Sequence, residues 1–396
     1  MIKKTIAIIG GGAAALMVAA RIDQHKYAVT IYEKNKALGR KFLVAGDGGL
    51  NITHSEAIDT FIQKYTPSKF LEKALKQFTN NDLRAWLLSI GIDTFIGSSK
   101  RIYPNKNIKP ITVLNAILNY IKTKDIAIQT GYEWIGFDAN QNLQFKEKNV
   151  VVADITIFAL GGGSWKVTGA NDKWLNYFST VGISTKKLQA SNCAFILNWE
   201  PQFIDLYEGT PLKNITITCG NKTTKGEIML TKTGIEGGAI YALSAAIRKA
   251  KKVNDNVIIT IDFKPMFSVE TIVEKLKNKG TLTTSAFLKN TLKLPAAVIA
   301  LLKINLTKAD FQNDIIIANA LKNFPLFIHD FGEIDKAIST VGGIELNEVN
   351  ENFELRKLPN HYAIGEMLDW DAPTGGYLLQ ACFSMGYAVA QHLNSK

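Results

Sequence analysis

The stretch between residues 5 and 33 places the strongest constraint on what this chain can fold into. A short β-branched apolar run precedes Gly10 and Gly12, an apolar helical pattern follows, and a second apolar run ends in Glu33. This order predicts a strand, a glycine turn, a helix and a second parallel strand with an acidic end. Together with Ala15, the two glycines match G-x-G-x-x-G/A, in which glycine admits a pyrophosphate and the small third residue lets the helix pack on the sheet. The sequence therefore predicts a dinucleotide site.

Each part of this pattern has a role in binding a dinucleotide. The helix that begins after Gly12 offers free N–H groups and a positive dipole end to phosphates. Glu33 can accept hydrogen bonds from ribose hydroxyls. An alternative is a secretory signal peptide, because Lys3 and Lys4 precede the apolar run. The glycines interrupt that run, and it continues into a charged strand end, so the dinucleotide interpretation is favoured.

Composition describes an ordinary globular chain. Its 396 residues, 46% hydrophobic and 20% charged, leave room for two or three domains. No charge-free apolar run reaches about 18 residues, so no transmembrane helix is predicted. The cysteines Cys193, Cys219 and Cys382 form no C-x-x-C pair, which argues against a disulfide scaffold, a metal site and a redox-active dithiol. A reducing, cytoplasmic location and no membrane association are predicted.

The net charge of +11 raises the question of a nucleic-acid partner. Arginine, the usual fork for phosphates and guanine edges, accounts for only six of the 46 basic residues, and the lysines are spread along the chain. We therefore predict a solvated, lysine-rich surface and regard nucleic acid as an unlikely partner. An acidic partner is the alternative.

A glycine-rich loop follows the first βαβ unit. Gly39, Gly46, Gly48 and Gly49 fall within eleven residues, and Asn51 comes shortly after them. This density predicts an ordered loop that approaches a ligand closely, the alternative being a plain surface loop.

A second strand–glycine junction occurs in the middle of the chain. The apolar residues 154–160 run into Gly161 and Gly162, which could bring backbone to the same cofactor. No helix and acidic strand end follow, so this is not an independent dinucleotide site. Just before it, residues 143–145 and 150–153 predict a small antiparallel hairpin.

From about residue 191 the pattern changes to short β elements and then to a lysine-rich helical region. We predict that residues 191–335 form a domain inserted into the first one. The alternative is a continuous single domain with long excursions.

Glycine density returns near the end of the chain. An apolar strand pattern ends in Gly365 and Glu366, and Gly375 and Gly376 open an apolar helical pattern. A strand ending in Gly-Glu can deliver a carboxylate to polyol hydroxyls, and a helix N-terminus directs its positive end at an electron-rich ring edge. A strand and helix that merely close the sheet would explain the apolar residues but not this cluster.

Four motifs now occur in an order that resembles a known family. They are the glycine turn with Glu33, the Gly-Arg-Lys of residues 39–41, the Ala-Leu-Gly-Gly of 159–162, and the Gly-Glu-Met-Leu-Asp and Thr-Gly-Gly-Tyr segments within 365–377. They resemble the BaiN-like (YhiN-like) bacterial NAD(P)/FAD-dependent oxidoreductases over nearly the whole chain. Gly49-Leu50-Asn51 stands where better-known members carry Gly-Arg-Cys-Asn, so an arginine and a cysteine beside the cofactor are missing.

The resemblance implies an α/β fold with FAD bound in an extended form. The Rossmann-like FAD-binding domain would comprise residues 1–190 and 336–396. An inserted β-barrel-like domain would comprise residues 191–265 and 306–335, and a small helical domain residues 266–305.

The resemblance also implies roles for individual residues. The glycine turn would hold the pyrophosphate, Glu33 the adenosine ribose, and Glu366 the ribityl chain. The backbone of residues 375–378 would meet the pyrimidine edge of the flavin. The complete set of expected cofactor-binding residues is Gly10, Gly12, Ala13, Ala14, Glu33, Lys34, Arg40, Lys41, Gly48, Asn51, Tyr132, Gly161, Gly162, Gly365, Glu366, Gly375, Gly376, Tyr377 and Leu378.

In such an enzyme the flavin carries the hydride and the protein positions and tunes it. The expected activity passes a hydride from NAD(P)H or another donor through FAD to a small organic substrate. No second G-x-G-x-x-G unit exists, so a nicotinamide could serve only as a transient visitor. The catalytic residue is unassigned, and His54, Arg101, Tyr103 and Trp370 are candidates for lining the substrate pocket. A flavin-dependent nucleic-acid (tRNA) modifying enzyme and a non-catalytic FAD-binding sensor are the alternatives.

Overall fold

The computed structural model describes residues 3–44 and 49–396. Contacts divide the chain into two compact units, Met1–Ser191 with Ile334–Lys396, and Asn192–Glu333. The first unit is discontinuous in sequence, and the second is one continuous insertion. The finer division into an FAD-binding, a β-rich and a helical domain stays a prediction.

The first unit contains the helices and strands that precede the insertion, together with two strands and one α-helix that follow it. Before the insertion, the strands are β1 (Lys4–Ile9), β2 (Tyr27–Glu33), β3 (Thr53–His54), β4 (Thr94–Ile96), β5 (Arg101–Pro104), β6 (Ile126–Thr130), β7 (Trp134–Phe137), β8 (Leu143–Phe145), β9 (Ile155–Phe158) and β10 (Thr185–Ser191). The helices are α1 (Ala13–Arg21), α2 (Arg40–Val44), α3 (Ile58–Ile62), α4 (Ser68–Gln77), α5 (Asn80–Ser89), α6 (Pro110–Lys122) and α7 (Trp174–Thr180).

The insertion contributes β11 (Phe195–Ile196), β12 (Pro211–Cys219), β13 (Lys222–Thr231), β14 (Gly234–Glu236), β15 (Val257–Asp262), β16 (Phe324–Ile328) and β17 (Asp330–Phe331). Its helices are α8 (Pro201–Tyr207), α9 (Gly238–Tyr241), α10 (Ser244–Lys251), α11 (Val269–Lys277), α12 (Thr284–Asn290), α13 (Ala296–Asn305) and α14 (Asp314–Lys322). The first unit then resumes with β18 (Ser339–Ile344), β19 (His361–Ala363) and α15 (Tyr377–Asn394).

A five-stranded parallel sheet in the order β19-β9-β1-β2-β6 forms the centre of the first unit. The sequence explains this position, because β9 is buried along its whole length and β1 over its last four residues, as parallel strands covered on both faces are. The predicted α/β fold class, with a Rossmann-like sheet, is confirmed.

Small residues let α1 and α15 pack closely against each other. A Cβ on Gly386 of α15 would collide with the carbonyl oxygen of Ala14 in α1. Residues 14–20 of α1 are all buried. The first and last long helices of the unit therefore share one core with the parallel sheet.

Three small antiparallel sheets surround this core: β3-β5-β4, β7-β8 and β10-β18. The expected antiparallel pairing of residues 143–145 with 150–153 is present only as one bridge between Leu143 and Val151, and β8 forms its longer pairing with β7. The reason is packing, since Trp134 of β7 contacts the core ring of Phe158 with a centroid distance of 4.8 Å. In the third sheet Ser191 and Ser339 are register partners, so the chain leaves and re-enters the unit through neighbouring strands.

The insertion is a curled sheet in the order β16-β15-β12-β13-β14-β11-β17. Its two edge strands, β16 and β17, are separated only by His329, so the two edges meet and the sheet closes into a barrel. Alternate residues such as Ile215, Ile217 and Cys219 point into a core that also receives the buried faces of α11–α14. The expected β-barrel-like and helical insertion is present.

Candidate functional site

The glycine turn lies between β1 and α1. Gly10 has φ +104°, and a Cβ there would lie 2.5 Å from the carbonyl oxygen of Ala159, so the approach of the chain after β9 requires glycine. Apart from its own chain neighbours, no heavy atom of the described residues lies within 4 Å of the position a Cβ on Gly12 would take. Ala13 and Ala14 begin α1, whose first turn holds no acidic side chain. The helix N-terminus therefore opens onto free space with its N–H groups available.

Glu33 is held rigidly beside this turn at the carboxyl end of β2. Its Oε2 accepts a hydrogen bond from the Gly11 N–H at 2.8 Å, and its Oε1 accepts from the backbone and side-chain amides of Asn35 at 2.8 and 2.7 Å. The adjacent Lys34 is half-buried, and burial lowers its pKa, opposed by the charges of Glu33 and Glu133. The carboxylate is thus fixed in place before any ligand binds.

The two basic residues after the turn have different partners. Arg40 donates to Asn35 Oδ1 at 3.1 Å and to the Val167 carbonyl oxygen at 2.9 Å. Lys41 instead reaches Glu366, with Nζ 2.8 Å from Oε2. Arg40 therefore anchors the turn that precedes α7. Lys41 joins the region of the glycine turn to the end of β19.

The second and third glycine junctions meet at Glu366. Its Oε1 accepts a hydrogen bond from the Thr340 N–H at 2.9 Å. A Cβ on Gly162 would collide with Thr340 Oγ1, so this approach requires glycine. Gly161 and Gly365 both have positive φ, +73° and +84°. Apart from its chain neighbours, no heavy atom of residues 3–44 and 49–396 would contact a Cβ on Gly161. Thr340 was missed by the sequence analysis, because nothing in its local pattern indicates a partner 26 residues away.

These junctions belong to one edge of the parallel sheet. The glycine turn follows β1, Glu33 ends β2, Gly161 and Gly162 follow β9, and Gly365 follows β19. The carboxyl ends of parallel strands lie along the same edge, where ligands of open α/β sheets bind.

The N-terminus of α15 is also built around glycine. Gly375 and Gly376 have φ +119° and +91°, and a Cβ on Gly376 would collide with the backbone of Thr53. Tyr377 is fixed at both ends, because its hydroxyl donates to Glu56 Oε1 at 2.5 Å and its carbonyl oxygen accepts from the Tyr65 hydroxyl at 2.7 Å. Leu378 follows it in the first turn of the helix. No side chain caps this helix among the described residues.

Three of the four pocket candidates lie on one face of the small sheet β3-β5-β4. His54 is the register partner of Arg101, and Phe95 that of Tyr103. Directly opposite residues of an antiparallel pair share a face, as do residues two apart on one strand. His54, Arg101 and Tyr103 therefore point to the same side, while Ile102 points into the core.

His54 and Tyr377 form a stacked pair at this face. Their ring centroids are 5.5 Å apart with an interplanar angle of 21°. His54 Nδ1 accepts the Glu56 backbone N–H at 3.2 Å, so Nε2 carries the proton, and burial lowers the pKa of His54. Burial and the hydrogen bond to Glu56 raise the pKa of Tyr377. Both side chains are neutral at neutral pH. Glu56 was also missed by the sequence analysis.

The fourth candidate, Trp370, lies elsewhere. Its indole is 2% exposed and its Nε1–H donates to the carbonyl oxygen of Gly365 at 2.9 Å, which occupies its polar group. Tyr132 packs on Tyr32 and donates its N–H to the Glu33 carbonyl oxygen at 3.0 Å, which places it beside Glu33. Asn51 carries a buried side-chain oxygen without a hydrogen-bond partner in the described chain. Gly48 lies outside the described residues.

Cys382 does not replace the missing cysteine of the glycine loop. Its Sγ would lie 3.8 Å from a Cβ on Gly365, and burial raises the pKa of its thiol to about 12. A thiol with this pKa is protonated at neutral pH and is not a nucleophile.

These residues fit an extended dinucleotide. The free space at Gly12 admits a phosphate against the N-terminus of α1, and Glu33 can accept hydroxyl groups without moving. The backbone at Gly161 leaves a second space that a ligand could occupy. The buried side-chain oxygen of Asn51, unpartnered among the described residues, could accept a hydrogen bond from that ligand. FAD, when bound here, would supply the hydride chemistry.

The fold and this site together define the class of proteins with a Rossmann-type domain. A family model described as "HI0933-like protein Rossmann domain" matches residues 4–392. The chain belongs to this HI0933-like family. The match confirms the resemblance to the BaiN-like (YhiN-like) flavoproteins.

Two relatives are similar over nearly their whole lengths. A ribosomal RNA dihydrouridine synthase of Haemophilus influenzae is 26% identical over 97% of this chain and 96% of its own. A 3-dehydro-bile acid delta(4,6)-reductase of Clostridium scindens is 24% identical over 98% of each chain. Among solved structures, the open conformation of a flavocytochrome c3 fumarate reductase is 12% identical, with a TM-score of 0.55 over 99% of this chain and 78% of its own, which shows a shared fold.

Residues 3–44 and 49–396 lack two structural features. None of the helices there has the length and apolar character needed to cross a membrane. Nor do three or more His, Cys, Asp or Glu side chains in these ranges come together in a group that could hold a metal ion.

Proposed function

We propose that this protein is an FAD-dependent reductase that takes a hydride from NAD(P)H and delivers it to a carbon–carbon double bond conjugated with a carbonyl group. The observation that carries this proposal is the meeting of the glycine turn, Glu33, Gly161 and Gly365–Glu366 at the carboxyl edge of one parallel sheet. Such an edge is the usual dinucleotide site of this architecture.

The chain's own residues divide the work of holding FAD. Gly12 and the N-terminus of α1 receive the pyrophosphate, and Glu33 accepts the adenosine ribose hydroxyls. Lys41 and Glu366 would hold the ribityl chain, where each could hydrogen-bond a hydroxyl. The N-terminus of α15, uncapped by a side chain in the described structure, presents its positive end to the pyrimidine edge.

The substrate class comes from the chemistry that the two relatives' names share. Dihydrouridine is uridine in which one ring carbon–carbon double bond has been reduced. In uridine that double bond is conjugated with a carbonyl group. The name delta(4,6) describes double bonds, and 3-dehydro describes a ketone in conjugation with them. Both names therefore describe an alkene activated by a carbonyl, which accepts a hydride at the carbon remote from that carbonyl.

The overall reaction balances without a further reactant. The activated alkene gains a hydride from NAD(P)H at one carbon and a proton from solvent at the other, and NAD(P)⁺ leaves. No dedicated nicotinamide-binding unit is predicted, so the nicotinamide and the organic substrate would use the same open face in turn.

The test is an anaerobic titration of the FAD-loaded protein, followed by the visible flavin band. Addition of NADPH or NADH should bleach the band within seconds, and a later addition of an enone such as 2-cyclohexenone should restore it. If the band bleaches with dithionite but with neither NADH nor NADPH, NAD(P)H is not the hydride donor. A protein that holds no FAD would refute the whole proposal.

A second candidate is an RNA-modifying enzyme with the same chemistry. The name of the Haemophilus influenzae relative supports it and counts against the expectation that nucleic acid is an unlikely partner. The net charge of +11 is compatible with a phosphate backbone. Its test is nucleoside mass spectrometry of ribosomal RNA transcripts incubated with the FAD-loaded protein and NADPH. Dihydrouridine formed in RNA, and lost at raised salt, would favour this candidate over a free small molecule.

A further inference from the structure

Arg101 is placed where a substrate carbonyl would need a cation. It lies on β5, on the same face of the small sheet as His54 and Tyr103. Its Nε is 3.6 Å from the position that a Cβ on Gly375 would take, so its side chain passes directly over the glycine pair that opens α15.

The guanidinium group of Arg101 lacks an acceptor in the part of the chain that the structure describes. Among residues 3–44 and 49–396, it makes no hydrogen bond and no ion pair, although it is only partly exposed. By contrast Arg40 is held by two acceptors, and Arg84 donates to Thr94 Oγ1 at 3.2 Å. A half-buried arginine whose five N–H donors meet no acceptor among the described residues can donate hydrogen bonds to a ligand oxygen.

The described neighbours of Arg101 on this face are engaged with one another. His54 stacks on Tyr377 and is neutral, and the Tyr377 hydroxyl donates a hydrogen bond to Glu56. The carboxylate of Glu56 is therefore engaged by Tyr377 rather than by Arg101. Tyr103 stacks on Phe95 with centroids 5.8 Å apart and supplies an aromatic wall beside the cation.

We propose that Arg101 is the oxyanion-binding catalytic residue of this site, which holds the carbonyl oxygen of the activated alkene. This inference rests on the proposed function. When the hydride adds to the remote carbon, the displaced π-electron pair moves onto the carbonyl oxygen, and the guanidinium neutralises the enolate that results. A proton from solvent then adds to the carbon next to the carbonyl and completes the reduction.

The same group selects the substrate class. A planar fork of donors binds a carbonyl or enolate oxygen through its lone pairs and requires no net charge on the substrate. The site would therefore take conjugated ketones, imides and uracil-like rings, and would reject alkenes without a carbonyl.

A phenol probe tests this inference without turnover. Phenolates resemble the enolate, and over an oxidised flavin they produce a long-wavelength charge-transfer band. Titration of the FAD-loaded, oxidised protein with 4-chlorophenol should develop this band. Arg101→Gln should bind the probe roughly 10- to 100-fold more weakly, the loss expected for a charge-assisted hydrogen bond, with unchanged FAD content.

Arg84→Gln is the matched control, because Arg84 contacts Thr94 on the opposite face of the same sheet. This variant should bind 4-chlorophenol like the unaltered protein. Arg101→Lys, which keeps the charge but not the fork, should lie between the two and serves if the glutamine variant fails to fold.

The outcomes separate this inference from the proposed function. A flavin that NAD(P)H reduces but that gives no band with 4-chlorophenol would overturn the role of Arg101 alone. An equal loss of probe binding in Arg84→Gln and Arg101→Gln would overturn it as well. Failure to hold FAD would overturn both proposals.

Discussion

Lys41 Nζ and Glu366 Oε2 lie 2.8 Å apart across a sequence separation of 325 residues. The pair links α2, just after the glycine turn, to the end of β19. Because Glu366 also accepts the Thr340 N–H, three distant segments meet at one carboxylate. The two halves of the discontinuous unit are thereby joined at the proposed cofactor edge.

A double-mutant cycle on Lys41→Met and Glu366→Gln should reveal a coupling of about 1 kcal/mol in the free energy of unfolding. The pair is partly buried, with side-chain exposures of 29% and 13%, so its attraction is less screened than that of a surface pair. Urea denaturation of the FAD-free protein measures it. The exposed pair Lys73–Glu351 is the control and should give no measurable coupling. Equal couplings for both pairs would contradict this account.

Gly12→Val should fold normally and lose FAD. The backbone φ at this position is −83°, which any residue adopts, and no described atom beyond its chain neighbours lies near the added Cβ. The side chain would instead fill the space proposed for the pyrophosphate. We expect FAD affinity to fall by roughly 100-fold, about 2.7 kcal/mol, in a fluorescence titration. Gly10→Ala is the contrasting variant, because its φ of +104° and the contact with Ala159 should destabilise the fold itself. Unchanged FAD binding by Gly12→Val would disprove the assignment.

Glu348 should make stability depend on pH in the acid range. Burial alone would raise the pKa of Glu348, but hydrogen bonds from Lys357 and Ser184 at 2.8 and 3.0 Å lower it overall. A lowered folded pKa means that the ionised carboxylate stabilises the fold. This stabilisation is complete above the unfolded pKa of about 4.3 and is lost as the pH falls through the folded value.

Glu348→Gln should therefore cost about 1 kcal/mol at pH 7, with the difference from the unaltered protein shrinking between about pH 5 and pH 3. Thermal unfolding across this range measures it. The exposed Glu351→Gln is the control and should follow the unaltered protein at every pH. A stability difference between Glu348→Gln and the unaltered protein that stays constant down to pH 3 would contradict this explanation.

The three cysteines should resist alkylation in the folded protein. Cys193 and Cys219 are buried, and burial raises the pKa of Cys219 as well as that of Cys382, the latter to about 12. The raised pKa leaves few thiolates at Cys219 and Cys382 at pH 8, and burial keeps reagents from Cys193 and Cys219. Iodoacetamide with mass spectrometry should label all three in guanidinium chloride and almost none in buffer. Rapid native labelling of Cys382 would contradict its environment.

The sequence predicted the local features of the site well. The glycine turn, Glu33 and the Gly365–Glu366 and Gly375–Gly376 clusters follow from short patterns, because strand, turn and helix N-terminus succeed one another directly. Their meeting at one edge follows from the parallel sheet.

Long-range partners could not be predicted in this way. Thr340 reaches Glu366, and Glu56 reaches Tyr377 across 321 residues, through contacts that leave no mark on the neighbouring sequence. The pairing of β7 with β8 depended on the packing of Trp134 against Phe158, which a propensity for strand does not reveal. Trp370 was expected at a pocket and is instead a core side chain, because its burial depends on tertiary packing.

The register pairing of Ser191 with Ser339 has a consequence for how such proteins diversify. The insertion of 142 residues begins after one partner, and the chain returns just before the other. Lengthening, trimming or replacing the insertion therefore leaves the strand order and the spacing of Glu33, Lys41 and Glu366 untouched. Descendants of one ancestral gene can exchange this module freely while they inherit the cofactor edge unchanged.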